Sequence, residues 1–69
     1  MKVNSSTIAD IDREVVDGKL YLKVTFKHGG EYLYEGVPAS VYEDFLMADS
    51  KGKFLHENIA GRYNYVRVK

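Results

Sequence analysis

Asp17-Gly18 stands between apolar residues, in Val15-Val16-Asp17-Gly18-Lys19-Leu20, and constrains the fold more than any other part of the chain. A two-residue hairpin turn of the primed type needs positive φ at its central residues, which Asp-Gly supplies readily. Pairing Val16 with Lys19 then sets Val15 against Leu20, Arg13 against Leu22, Ile11 against Val24 and Ala9 against Phe26. The residues after the turn alternate strictly. Leu20, Leu22, Val24 and Phe26 share one face, and Tyr21, Lys23, Thr25 and Lys27 the other. Turn and alternation agree, because this register puts Ile11 and Val15 on the apolar face and predicts that both are buried.

Beyond His28-Gly29-Gly30, the segment Glu31-Tyr32-Leu33-Tyr34-Glu35 alternates again and predicts a third strand. A three-residue loop that pairs Phe26 with Tyr32 and Val24 with Tyr34 buries two large rings and uses Gly30 in the left-handed position. A two-residue Gly-Gly turn would pair Phe26 with Leu33 and set Glu35 beside Val24. The first arrangement is preferred because it leaves Glu31 and Glu35 in water. Gly36-Val37-Pro38 ends the sheet, since proline cannot donate to a ladder and disfavours helical geometry at Val37.

A helix follows, starting either at Pro38 or at a capping box Ser40-x-x-Glu43. Val41, Phe45 and Ala48 form its inner stripe with Tyr42 and Leu46 beside them, while Glu43, Asp44 and Met47 face outward. Asp49-Ser50 breaks that helix and caps a second one anchored by Phe54, Leu55 and Ile59, which Ala60-Gly61 ends. In the tail, Val66 and Val68 alternate with Tyr65 and Arg67, so it either adds an edge strand or packs across the helices. The expected fold is therefore α+β: a three-stranded antiparallel meander followed by two short helices on one sheet face, with a C-terminal edge strand as the option. Residues 1–5 are expected to fray, and residues 6–69 to form a single domain.

With 69 residues the chain has room for one core, and with no cysteine it has neither a disulfide nor a thiolate metal site to reinforce it. Unusually good packing or self-association is the remaining support. The N-terminal residues hold no apolar run of the signal-sequence kind, and no stretch approaches the ~20 apolar residues of a membrane span, so a cytoplasmic chain without membrane contact is expected. Ten basic residues balance ten acidic ones. They are unevenly placed: Glu31, Glu35, Glu43, Asp44 and Asp49 occupy a stretch with no base, and Lys51, Lys53, Arg62, Arg67 and Lys69 follow with Glu57 as their only acid.

Reactive groups are sparse. His28 and His56 are isolated imidazoles, one in a turn and one in a helix, where a metal site needs three or four convergent ligands. Asp10 and Asp12 share the strand face opposite Ile11, which is the solvent face, so they lack the environment that paired catalytic carboxylates require. The serines have no positioned base, and Ser40 and Ser50 read as helix caps. Gly29-Gly30 is a hairpin loop and not a phosphate loop, because no helix follows it. Ser50-Lys51-Gly52-Lys53 opens a helix with two lysines and suits either a bound phosphate or a plain turn with solvated lysines. No catalytic, metal or cofactor-binding set is assigned, and no enzymatic activity is expected. The strongest constellation is basic and aromatic: Lys51, Lys53, Arg62 and Arg67 with Tyr63 and Tyr65. Cations hold a phosphate backbone while aromatic faces stack unpaired bases. Tyrosine and arginine also anchor protein interfaces, which keeps a protein partner or a second copy as the alternative.

The ordered series Ser6-x-Ile8-x-x-Ile11, Leu22-x-Val24-x-Phe26-x-x-Gly29, Tyr32-x-Tyr34-x-x-Val37-Pro38, Val41-Tyr42-x-x-Phe45-x-x-Ala48-x-Ser50-x-Gly52-x-Phe54 and Ile59-x-x-x-Tyr63 resembles the KTSC domain. That family is named for the C-terminus of some lysyl-tRNA synthetases and also occurs as small stand-alone proteins. The resemblance covers about residues 6–65. Arg13 and Glu14 depart from the family's usual aromatic and acid, and His56 from its usual asparagine. The resemblance implies the α+β fold and no enzymatic activity, and its association with a tRNA-charging enzyme implies contact with RNA.

Overall fold

Asp17 and Gly18 take φ values of 51° and 79°, the positive pair that the tight turn demands, and join β1 (Ile8–Val16) to β2 (Lys19–Phe26). The structure, a computed structural model, describes residues 1–68, and Lys69, one of the bases named above, lies outside the described residues. Val16 pairs with Lys19, Val15 with Leu20, Arg13 with Leu22 and Ile11 with Val24, as the turn requires. The expected pairing of Ala9 with Phe26 does not form: a β-bulge falls between Ile8 and Asp10, and Ile8 pairs with Phe26. Ile8 and Ile11 are three residues apart, so a regular strand would send them to opposite faces. The extra residue corrects the parity, and both side chains are fully buried.

β3 (Glu31–Glu35) pairs antiparallel with β2, but two residues away from the expected register, with Tyr32 opposite Val24 and Tyr34 opposite Leu22. The loop is three residues, 27–29, closed by Phe26 N–H on Gly30 O at 3.0 Å and by Gly29 N–H on Phe26 O at 3.3 Å. Gly29 and Gly30 both adopt positive φ, which permits the loop to close one residue earlier along β2. A shift of two keeps side-chain parity, so the tyrosines still lie on the face of Leu22 and Val24. β4 (Tyr65–Arg67) takes the edge-strand option and pairs antiparallel with β3, completing a sheet of order β1-β2-β3-β4.

α1 (Ala39–Met47) starts from Pro38, whose carbonyl accepts from Val41 and Tyr42 at 3.1 Å each. The capping box at Ser40 is not formed. Ser40 is already the second helical residue, and its side chain no longer overhangs the open N–H groups. Ser50 does cap α2 (Lys51–Phe54), accepting from Lys53 N–H at 3.3 Å. α2 runs straight into a π-helical turn, Leu55–Ile59, marked by Ala60 N–H reaching back five residues to Leu55 O at 2.8 Å.

Both helices cover one face of the sheet. The core gathers Ile8, Ile11, Leu22, Val24, Tyr34 and Val37 with Phe45, Leu55 and Ile59, and the Phe45 and Phe54 rings stack at 5.3 Å. Val15 points to the expected face but is 66% exposed, against the burial predicted for it, and Leu20 opposite is also exposed. Arg13, one pleat earlier, lies under the helical layer with its guanidinium 5.4 Å from the Tyr42 ring centroid. The hairpin tip therefore projects past its cover.

Residues 1–5, the segment expected to fray, run beside the outer edge of β1. Lys2 bridges to Asp10, Val3 N–H donates to Ala9 O at 3.2 Å, and Ile11 N–H donates to Met1 O at 2.9 Å. The Met1 ammonium sits 2.7 Å from Asp10 and 2.5 Å from Asp12, on the solvent face where those carboxylates were placed. Its hydrogen bond holds the Asp10 carboxyl below the usual range.

Phe45 and Val15 give contrasting tests of this packing. In urea denaturation, Phe45→Ala is expected to cost about 3–5 kcal/mol, enough to leave a domain of this size largely unfolded. Val15→Ala is expected to stay within about 0.5 kcal/mol of wild type.

Candidate nucleic-acid interface

Strand β4 is held at both ends by short main-chain bonds: Glu35 N–H donates to Asn64 O and Val68 N–H donates to Glu31 O, each at 2.8 Å. Between them Tyr65 pairs with Tyr34, Val66 with Leu33 and Arg67 with Tyr32. Paired residues project to the same side, so Tyr65 and Arg67 join Tyr32 and Tyr34 on the sheet face that the helices cover over β1 and β2. The rings form a continuous cluster. Tyr65 lies 5.0 Å from Tyr32 and 5.6 Å from Tyr34, Tyr32 and Tyr34 stack at 6.3 Å, and Phe26 meets Tyr32 edge-on at 5.3 Å.

Exposure is graded across the cluster. Tyr34 is 4% exposed and belongs to the core, Tyr32 is half-buried, and Tyr65 is 55% exposed. The Arg67 guanidinium carbon stands 5.8 Å from the Tyr32 centroid, where the negative face of the ring attracts it. Burial, followed by the neighbouring Tyr32 and Tyr65, pushes the Tyr34 phenol above its ordinary pKa.

The remaining basic residues of the expected site are placed elsewhere. Lys51 Nζ donates to the Ala48 carbonyl at the break between the helices. Lys51 and the exposed Lys53 line an open, polar cleft of about 460 Å³ with residues 4–7. Arg62 Nε donates to Glu57 O at 3.1 Å, and Arg62 lines a second cleft of about 450 Å³ with Leu20, Tyr21 and Glu35. Tyr63 shares that cleft and packs partly against the core. The lip of this cleft is closed by Lys19 Nζ bonded to Glu35 at 3.0 Å, which raises the lysine pKa.

The six residues singled out from the sequence thus divide among three places. Tyr65 and Arg67 share one cluster, Arg62 and Tyr63 a neighbouring cleft, and Lys51 and Lys53 the junction of the helices with the N-terminal segment. The first two places adjoin, since Arg62, Tyr63 and Tyr65 also line an open cleft of about 460 Å³ together. Tyr32 and Tyr34 were not among them, since alternation marks them as core. Their partnership with Tyr65 depends on β4 pairing with β3.

Both histidines are exposed, His28 in the loop after β2 and His56 on the π-helical turn. Among the described residues no three His, Cys, Asp or Glu side chains converge as metal ligands, and no helix is long and apolar enough to cross a membrane.

A four-stranded antiparallel sheet with a split helical layer on one face defines a small α+β domain. The KTSC domain family matches residues 4–63, and the chain belongs to that family. A protein of Tsukamurella paurometabola is 36% identical over 47 residues, which span 68% of this chain and 70% of that one. The crystal structure of a KTSC domain protein from Yersinia pestis superposes with a TM-score of 0.87 at 30% identity, covering all of this chain and 94% of that one.

The Tyr34 phenol provides a direct check on the cluster. A raised phenol pKa means that the folded state holds its proton more tightly than the unfolded chain does. The associated stability is constant below the ordinary value of 10.0 and is lost as pH climbs through the folded value. Denaturation midpoints followed from pH 8 upward are expected to fall above about pH 10 in wild type, and to fall less steeply in Tyr34→Phe.

Proposed function

We propose that this KTSC domain is a non-catalytic cytoplasmic binding module that takes up single-stranded RNA on the β3–β4 end of its sheet. The carrying observation is Tyr65, a ring more than half exposed yet fixed in orientation by Tyr32 and Tyr34. A ring held in place by its neighbours loses little freedom when a base stacks on it, and stacking of this kind tolerates any base. Arg67 puts a cation beside the platform, and Arg62 adds another at the start of the same tail. Lys51 and Lys53 lie in a different cleft and serve as outlying phosphate contacts, within reach of a longer strand only. The balanced net charge argues for moderate affinity, since the electrostatic term comes from a few local cations and not from the domain as a whole.

A second reading uses the same strand to hold a protein, and it draws on the exposure of Val66 and Val68, on the face opposite the rings. Salt separates the two, because phosphate contacts release counterions and apolar protein contacts do not.

Binding of the purified protein to tRNA and to single-stranded RNA at two salt concentrations tests the RNA reading. Wild type is expected to bind and to weaken as salt rises. Tyr65→Ala is expected to lose about tenfold in affinity with its salt dependence unchanged, and Arg67→Glu to lose affinity and flatten the salt slope. Lys53→Glu/Arg62→Glu is expected to matter more for tRNA than for a short oligonucleotide. Absence of binding at low salt overturns the RNA reading and leaves the protein one.

A further inference from the structure

The two edges of the sheet differ. Beside β1 runs the N-terminal segment, with bonds at Met1, Lys2 and Val3. Beyond β4 no further strand of this sheet stands among the described residues. Tyr65, Val66 and Val68 there are 55%, 51% and 48% exposed. An outer strand that offers both its backbone and apolar side chains is a template for another strand.

We infer that β4 pairs antiparallel with β4 of a second copy of this chain about a twofold axis at Val66, so that Tyr65 of each copy stands opposite Arg67 of the other. The register follows from the hydrogen bonds already made. Asn64 and Val68 turn their peptide groups toward β3, so residues of the same parity do likewise, and Tyr65 and Arg67 direct theirs to the outer side. A twofold that pairs these outward groups between different residues sets 65 against 67 and 66 against itself.

The side chains suit that register. Tyr opposite Arg is the pairing that the sheet already uses at Tyr32 and Arg67, where the guanidinium lies over the ring. Across the twofold, Tyr65 of the second copy stands opposite Arg67 in the same cross-strand relation. On the opposite face the two Val66 side chains meet at the axis, next to the buried Leu33. No like charges are brought face to face. An axis perpendicular to the sheet keeps the two aromatic clusters on the same side, where they form one surface of doubled length. The pairing shares Tyr65 and Arg67 with the RNA reading, but its test changes Val66 and reads mass without RNA, so failure of one is distinguishable from failure of the other.

The test uses the full chain and position 66. Sedimentation of wild type over a wide concentration range is expected to show the mass rising from one chain toward two. Val66→Lys and Val66→Glu each set like charges against themselves at the axis, and each is expected to stay monomeric. Their equimolar mixture is expected to recover the doubled mass, which only a contact of position 66 with itself predicts. Should either variant fold poorly, Val66→Cys serves instead. The chain has no other cysteine, and facing residues at a non-hydrogen-bonded antiparallel pair lie about 4.5 Å apart, within disulfide reach. Mild oxidation is then expected to give a covalent dimer, and Val15→Cys at the exposed hairpin tip is expected to give none. A monomeric wild type at every concentration, charge variants that still dimerise, or equal cross-linking of both cysteine variants overturns the inference.

Discussion

A chain of this length makes one layer of helix, so its sheet can be covered on a single face, and the side chains must agree on which face that is. Agreement begins at the Asp17-Gly18 turn. It fixes the β1–β2 register, and through it the alignment of Ile11, Leu22 and Val24 under Phe45. Each later strand inherits the choice by parity. The two-residue offset in β3 leaves the buried face intact, whereas an offset of one would have carried Tyr32 and Tyr34 to the charged face with Lys23 and Glu14. The bulge at β1 serves the same requirement from the other side, since it is the local irregularity that lets Ile8 enter a core already joined by Ile11.

The helical layer is narrow, and its limits explain the rest of the surface. α1 and α2 with its π-helical turn lie over the middle of the sheet, where Phe45, Leu55 and Ile59 are buried. At one margin the hairpin tip leaves Val15 and Leu20 uncovered, and at the other the aromatic cluster passes from core to solvent within three rings. Tyr34 belongs to the core and Tyr65 to the surface. The π-helical turn belongs to the same layer and buries Leu55 and Ile59, four residues apart on one face, before the chain leaves for β4.

Elements governed by local chemistry were legible in the sequence. The primed turn, the inner stripe of α1 and the Ser50 cap each follow from a few adjacent residues. Features set by competition between distant groups were not. The bulge is needed because Ile8 and Ile11 sit at odd spacing, a hint the sequence does hold, but its position depends on the strand already being docked. Ser40 has the residue type of a cap but not the role, because the carbonyl of Pro38 begins the helix two residues sooner. The basic and aromatic tail was recognisable as a group, yet its residues diverge in space. Tyr65 and Arg67 enter the sheet, Arg62 turns back to the Glu57 carbonyl, and Lys51 returns to Ala48. Tyr34 is buried as its alternation predicts, whereas Tyr32 is only half-buried, because the helical layer ends within the cluster.

The N-terminal segment along β1 has a further meaning for a protein built on an open sheet. A sheet with two receptive edges can add strands without limit, as fibres do, whereas one with a single receptive edge can join only once. If two chains meet at β4, both receptive edges are used up, and each outer boundary is a β1 already accompanied by residues 1–3 and by the charged carboxylates of Asp10 and Asp12. Assembly is then closed at two chains, and a short stretch of backbone at the far side of the domain decides where growth stops.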